Sequence, residues 1–284
     1  MNQNDQHAVV SLFPRLYHST QSNLTTHPPL PSNEGYNHAL ANVHPELTDN
    51  GLGFEKTVHH LATDIIPGFN GGGISPHHYG FVIGGVTPIA AVADNVVTLY
   101  DQNLPLHMDG LTVATSVENS ALDHLLQLFD LSPSAWQAKI FTTGATASNI
   151  PGLACGTEFI LRKSLQKIPV GAESGATLGE LGLLQMASLA GAQAVQILSP
   201  MPHSSLSKAA GIIGLGRAAV KLAGRSTEPW RIDIEIVEQE LKKQPSVLSI
   251  VVLSCEEVNT GRFSTYSYAE MQRIRQLCDN YNLV

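Results

Sequence analysis

Ala194-Val195-Gln196-Ile197-Leu198-Ser199-Pro200-Met201-Pro202-His203-Ser204-Ser205-Leu206-Ser207-Lys208-Ala209-Ala210 runs from an apolar stretch, through a proline-broken turn, into a helix-forming one. Residues 194–198 read as a short buried strand. Pro200 and Pro202 can continue neither a ladder nor a helix. The spacing that follows predicts a helix over 206–222. The same order recurs on either side. Lys139–Thr143 reads as a strand before a helix over Ala147–Lys163, and Val247–Leu253 reads as a strong strand followed by a helix over Ser267–Tyr281. Strand and helix in alternation predict an α/β fold with a mainly parallel sheet, covered by helices on both faces.

Toward the N-terminus the pattern changes. Residues 1–53 are rich in Asn, His, Ser, Thr and Pro, and His27-Pro28-Pro29-Leu30-Pro31-Ser32-Asn33 cannot hold a helix. This stretch is expected to be a partly ordered arm, with the large α/β domain occupying 54–284. Phe54–Ile66 has helical spacing and stops at Pro67-Gly68, and Gly68–Gly85 is a loop rich in glycine and histidine. Thr87–Tyr100 reads as a buried helix opened by a threonine cap and a proline. Val117–Leu131 repeats apolar residues at helical intervals.

Composition narrows the function classes. Of 284 residues, 43% are hydrophobic and only 14% charged, a balance that suits a buried core. A formal net charge of -8 gives no basic footprint for nucleic acid or an anionic membrane. No apolar run approaches the roughly 18 residues of a membrane span. Cys155, Cys255 and Cys278 are scattered and odd in number, which points to a reducing compartment and a cytoplasmic protein. His59-His60 and His77-His78 lack a HExxH frame, so no metal is expected. Gly211–Gly216 lies within a helical pattern, where its glycines allow close packing rather than dinucleotide binding. Ser204 and Ser205 lack the GxSxG elbow of a hydrolase.

Three strand-end loops gather the residues able to do chemistry, and ligands of open α/β sheets collect at that edge. In Phe141-Thr142-Thr143-Gly144-Ala145-Thr146-Ala147-Ser148-Asn149, small residues let backbone N–H groups approach an anion, and the helix N-terminus adds partial positive charge. It is no Walker loop, because Gly-Lys-Ser/Thr does not follow. An ordinary helix cap has the same local composition. In the second loop His203 can stack on a planar group and shuttle a proton, or simply cap its helix. The third loop, Ser254-Cys255-Glu256-Glu257-Val258-Asn259-Thr260-Gly261-Arg262-Phe263, follows the strongest strand.

Taken together, these motifs resemble those of the group II pyridoxal-phosphate-dependent amino-acid decarboxylases. Thr-Gly-Ala-Thr-Ala-Ser-Asn, with Pro-Gly-Leu-Ala-Cys-Gly behind it, is similar to the family's phosphate segment. Ser-x-x-x-His-Ser-Ser-x-x-Lys-Ala is similar to the segment with the ring-stacking histidine. Val-Asn-Thr-Gly followed by Phe resembles the loop beside the cofactor, and Tyr79–Pro88 resembles the substrate-side loop. The likeness runs from about Phe54 to Val284, and the nearest branch resembles the aromatic-amino-acid and tyrosine decarboxylases.

The resemblance implies a fold type I large domain, pyridoxal 5′-phosphate as cofactor, an amino-acid substrate and a homodimer in the full-length form. It implies that Ala147 and Ser148, with Thr146 beside them, bind the phosphate and that His203, the one catalytic residue it assigns, stacks on the ring. His77 and Tyr79 would border the substrate, with a position across a dimer interface as one arrangement. One departure is Glu256-Glu257, where many members have Gly-Thr. Two family parts have no counterpart: the aspartate of the pyridine nitrogen, expected on a strand beginning near Val284, and the lysine that holds the cofactor. Lys208 matches the helix lysine after the stacking histidine and is expected to face away. Cys278–Val284 itself reads as a helix end, a turn and the start of a strand. The chain is thus expected to be C-terminally truncated and to lack normal turnover. The alternatives are an inactive fragment or interaction partner of a full-length homologue, or another fold type I lyase.

Overall fold

The computed structural model describes residues 28–44, 46, 49–80, 84–102, 107–166, 176–243 and 246–281. Most of the expected arm (1–27), residues 81–83 of the glycine-rich loop and residues 282–284 lie outside the described residues. The chain divides into two compact units, Met1–Val117 and Glu118–Val284.

The first unit is helical. Helix α1 (Asn33–Ala41) starts where the proline run ends, and its Ser32 cap accepts a hydrogen bond from the Gly35 N–H at 3.0 Å. Helix α2 (Phe54–His60) widens into a π-turn over Leu61–Ile65 and tightens to a 3-10 turn over Ile66–Gly68. Asp64, in the π-turn, binds His60 Nδ1 at 2.8 Å and His38 Nε2 of α1 at 3.1 Å. Helix α3 (Pro88–Tyr100) has the expected Thr87–Pro88 start, but no residue of it is buried. Ile89 is 73% exposed and Leu99 76%. The expectation of a buried helix is therefore corrected: the run is apolar, yet nothing within the described chain covers it. Helix α4 (Ala114–Leu128) begins in the first unit and continues into the second; it ends three residues before the expected Leu131, because Asp130 turns left-handed at φ 55°.

The second unit carries the sheet. Helix α5 (Ala145–Leu165) and helix α6 (Leu178–Leu189) precede strand β1 (Ala194–Ser199), helix α7 (Ser204–Ile212) and strand β2 (Val220–Leu222). Helix α8 (Ile234–Lys243), strand β3 (Val247–Val251) and helix α9 (Tyr268–Asn280) follow. The strands are all parallel in the order β2-β1-β3. Five of the six β1 residues are buried, as a central parallel strand requires. Its side chains alternate between two cores. Val195 and Ile197 pack with Leu153 and Ile160 of α5 and Leu206 and Ala209 of α7. Leu198 faces the other way, toward Val237 and Leu241 of α8 and Ile274 of α9.

Three sequence expectations change here. Lys139–Thr143 forms no strand; the Lys139 ammonium instead pairs with Asp123. The helix expected over 206–222 stops at Ile212, because Gly214 and Gly216 take φ of 87° and 84°, left-handed values that close a helix rather than continue it. The residues beyond become a 3-10 turn and β2. Glycines 211–216 thus divide two elements more than they pack one.

The loop after β3 is built around one acid. Glu257 is 6% exposed, and its carboxylate accepts from the Asn259 N–H (3.0 Å), the Asn259 amide (2.6 Å) and the Thr260 N–H (2.9 Å). Burial opposes its charge, but these donors outweigh burial and hold the carboxyl below its ordinary value of 4.5. Glu256 before it takes φ 68°, where a glutamate costs about 1 kcal/mol relative to glycine. Further on, Glu270 at the start of α9 accepts from Arg225 (3.3 Å), Arg231 (3.1 Å) and the Tyr266 N–H (2.9 Å), pinning the last helix to the loop after β2.

Leu198→Ala should cost about 2–5 kcal/mol, since Leu198 is fully buried. Lys208→Ala, on an exposed position, should stay within about 0.5 kcal/mol of wild type in the same urea titration. Glu257 stabilises as the anion. Its contribution is complete above pH 4.5 and is lost as pH falls through the lowered folded value. Glu257→Gln should therefore lose about 1–2 kcal/mol at neutral pH. The gap to wild type should close in acid, as followed by thermal unfolding across pH.

Candidate functional site

The candidate site is assembled from two helix starts. Helix α5 opens at Ala145 behind a Gly144 cap, and its first turn carries no acidic residue. Its first backbone bond is from the Ser148 N–H to the Gly144 carbonyl at 3.0 Å, so the N–H groups of Ala145, Thr146 and Ala147 have no partner within the helix. That is an anion-accepting end. The Ser148 hydroxyl lies 2.5 Å from that of Thr142, whose own hydroxyl reaches the Gly144 carbonyl at 3.2 Å. Ser148 thereby closes the turn that presents the N–H groups.

Helix α7 opens behind His203, whose imidazole is the cap. Nδ1 accepts from the Ser205 N–H at 3.2 Å and lies 2.8 Å from the Ser205 hydroxyl. The residue remains exposed, so one edge of the ring is held while the rest faces outward. This first turn also lacks an acid.

The two helix starts are tied together. The Asn149 amide donates to the Ser205 hydroxyl at 2.9 Å. Thr146, Ala147 and Ser148 thus stand in the turn joined to the one that His203 caps. Of the two residues that make the tie, the sequence assigns no separate role to Asn149 and offers Ser205 only as a hydrolase serine without its elbow. The available signal was that Asn149 closes the small-residue motif and Ser205 the His-Ser-Ser triplet. Lys208 is exposed on α7, while Ser205, Leu206, Ala209 and Ala210 form its buried side. His77 and Tyr79 belong to the first unit: both are exposed, Tyr79 at 90%, and the His77 N–H lies 3.3 Å from the Ser75 hydroxyl.

Beside Asn149 an open apolar depression of about 500 Å³ runs between α5 and β3, lined by Leu153, Phe159, Ile250 and Leu253 among others. A Cβ on Gly156, on its wall, would stand 3.3 Å from Ile250 Cδ1, so a larger residue there would require the Ile250 side chain to give by a few tenths of an ångström. Glu257 of the third loop is engaged with its own turn and offers no free acid or base.

No protein-family model matches the sequence, and no curated protein matches it. Solved structures do. The glutamate decarboxylase domain of diaminobutyrate-pyruvate transaminase and L-2,4-diaminobutyrate decarboxylase from Vibrio parahaemolyticus superposes with a TM-score of 0.69 at 19% identity, over 94% of this chain and 54% of that one. Catharanthus roseus tryptophan decarboxylase, solved with L-tryptophan, gives 0.67 at 16% over 100% and 56%. Oryza sativa TDC, solved with PLP and tryptamine, gives 0.68 at 15% over 100% and 56%. The chain spans about half the length of the solved structures it matches. Identities this low establish the fold: an α/β domain with a parallel sheet between helices, as in the fold type I pyridoxal-phosphate enzymes.

Proposed function

We propose that this chain carries the phosphate and ring contacts of a pyridoxal 5′-phosphate-dependent amino-acid carboxy-lyase. The observation that supports this is the Asn149–Ser205 bond, which sets an anion-accepting helix start beside an exposed histidine. The likeness of fold to proteins named as decarboxylases adds to it. The residues fit such a group. Neither first turn holds an acid that would repel a phosphate, and the residues around the N–H groups of α5 are small.

In this reading Thr146, Ala147 and Ser148 hold the phosphate, through backbone N–H groups and the turn that Ser148 closes. His203 lies on the pyridine ring and keeps its plane fixed. His77 and Tyr79 border the amino acid. The bound cofactor would supply the electron sink for the carbon–carboxylate bond; the protein's part is to bind and orient. Lys208 takes no part. An aromatic amino acid is the substrate class we favour, and the cytoplasm the location, given that Cys155, Cys255 and Cys278 are all free thiols.

The same reading makes the protein a homodimer. Ile89, Val92, Val96 and Leu99 of α3 are 49–76% exposed, and a second copy is the partner proposed to cover them. Sedimentation velocity at micromolar concentration should show self-association; a strictly monomeric species would count against a dimer.

Titration of the protein with pyridoxal 5′-phosphate and with unphosphorylated pyridoxal tests the cofactor site. The phosphorylated form should bind at least about tenfold more tightly, a difference of 1.4 kcal/mol. His203→Ala should weaken it by a further factor of about three to ten, given what a lost aromatic contact costs. Equal affinities for the two forms would remove the phosphate assignment. Calorimetry of the cofactor-loaded protein checks the substrate class: L-tryptophan or L-tyrosine should bind more tightly than L-glutamate, and binding of L-glutamate alone would overturn it.

A further inference from the structure

The polarity of the hydrogen bonds between the two helix starts carries more than proximity. A backbone N–H can only donate, so the Ser205 N–H at 3.2 Å makes His203 Nδ1 an acceptor. A neutral imidazole then carries its hydrogen on Nε2. The Asn149 amide donates to the Ser205 oxygen at 2.9 Å, which leaves the Ser205 hydrogen free to point at Nδ1, 2.8 Å away. Ser205 is 2% exposed, so bulk water does not compete for its hydroxyl. The Ser205 N–H and O–H then share the Nδ1 lone pair, and the series Asn149, Ser205, His203 runs from donor to acceptor in one direction.

We infer that Asn149 and Ser205 are positioning residues that hold His203 as its Nε2–H tautomer and couple the phosphate-side turn of α5 to the ring-side turn of α7. The ligand class this suits is a phosphorylated heteroaromatic ring, whose phosphate and ring plane must be set at a fixed separation. That ligand rests on the function proposed above; the relay rests on the hydrogen bonds alone. Neither residue touches the ring. Each acts through His203.

The test uses the full 284-residue chain, labelled with nitrogen-15, with the His203 ring nitrogens assigned by comparison with His203→Gln. Wild type should show hydrogen on Nε2 and a hydrogen-bonded, bare Nδ1. Asn149→Asp keeps the shape but puts an acceptor in front of Ser205, drawing its hydrogen away, so the Nδ1 resonance should move toward that of an unbonded nitrogen. Ser205→Ala should do the same, and Ser205→Thr should restore the wild-type position.

The ligand probe is 4-deoxypyridoxine 5′-phosphate, which lacks the aldehyde and so binds only non-covalently. Loss of one hydrogen bond in Ser205→Ala should weaken it about three- to tenfold, with inorganic phosphate binding nearly unchanged. Ring resonances that stay put in both Asn149→Asp and Ser205→Ala, or a wild-type ring with hydrogen on Nδ1, overturn the relay even where the probe still binds. Resonances that respond as expected, in a wild-type chain that takes neither phosphate nor the probe, support the relay and defeat the proposed cofactor site.

Discussion

The hydrogen bond from the Asn149 amide to the Ser205 hydroxyl spans 56 residues of sequence, and the local order on both sides of it depends on the same core. It closes only because α5 and α7 lie on one face of the sheet. They are held there by Leu153, Ile160, Leu206 and Ala209 packing on Val195, Ile197 and Ile250. Fully burying a side chain such as Ile197 is worth about 1.5–3 kcal/mol, against about 1 kcal/mol net for one hydrogen bond. The apolar contacts therefore set where the helices lie, and the polar bond sets how their first turns face each other. The parallel strand β1 brings its carboxyl end, and the start of α7 that follows, to one edge, while α5, which no strand precedes among the described residues, reaches Ser205 through its packing on the sheet.

An acidic protein must keep its carboxylates from a helix start if that start is to hold its positive character. The described residues do so by engaging them elsewhere. Glu257 is held by the donors of its own loop, and Glu270 by Arg225 and Arg231. In the first unit the His60 and His38 hydrogen bonds hold the Asp64 carboxyl below the usual carboxylate range. With the first turns of α5 and α7 free of acids, the uncompensated N–H groups of α5 keep their positive character.

What was legible in the sequence follows from which forces are local. The strands at Ala194 and Val247 and the helices after Gly144 and Ser267 were readable, because apolar runs and caps act within a few residues. Helices α6 and α8 were passed over, although Thr177 and Glu180 form a reciprocal cap and Asp233 caps the start of α8. Helix α6 is apolar with little helical period, whereas Ile234, Val237 and Leu241 of α8 stand at helical spacing that the sequence does offer. The strand assigned to Lys139–Thr143 failed for a different reason: a strand exists only by pairing, and sequence shows no partner. Burial of α3 failed likewise, since an apolar run does not say what covers it. At the site, the small-residue motif and His203 could be read as chemistry, while Asn149 and Ser205 matter only through each other.

The Gln196 amide donates to the Ser249 hydroxyl at 3.0 Å inside the sheet, a pairing between residues 53 apart. β1 therefore cannot complete its ladder to β3 until α7, β2 and α8 have been made. At a synthesis rate of about 5–20 residues per second, β1 waits about 3–10 s on the ribosome with much of its apolar surface uncovered. Non-local parallel pairing is also slow to close. A pairing this distant in sequence makes the yield of native protein depend on how long β1 stays uncovered as well as on final stability.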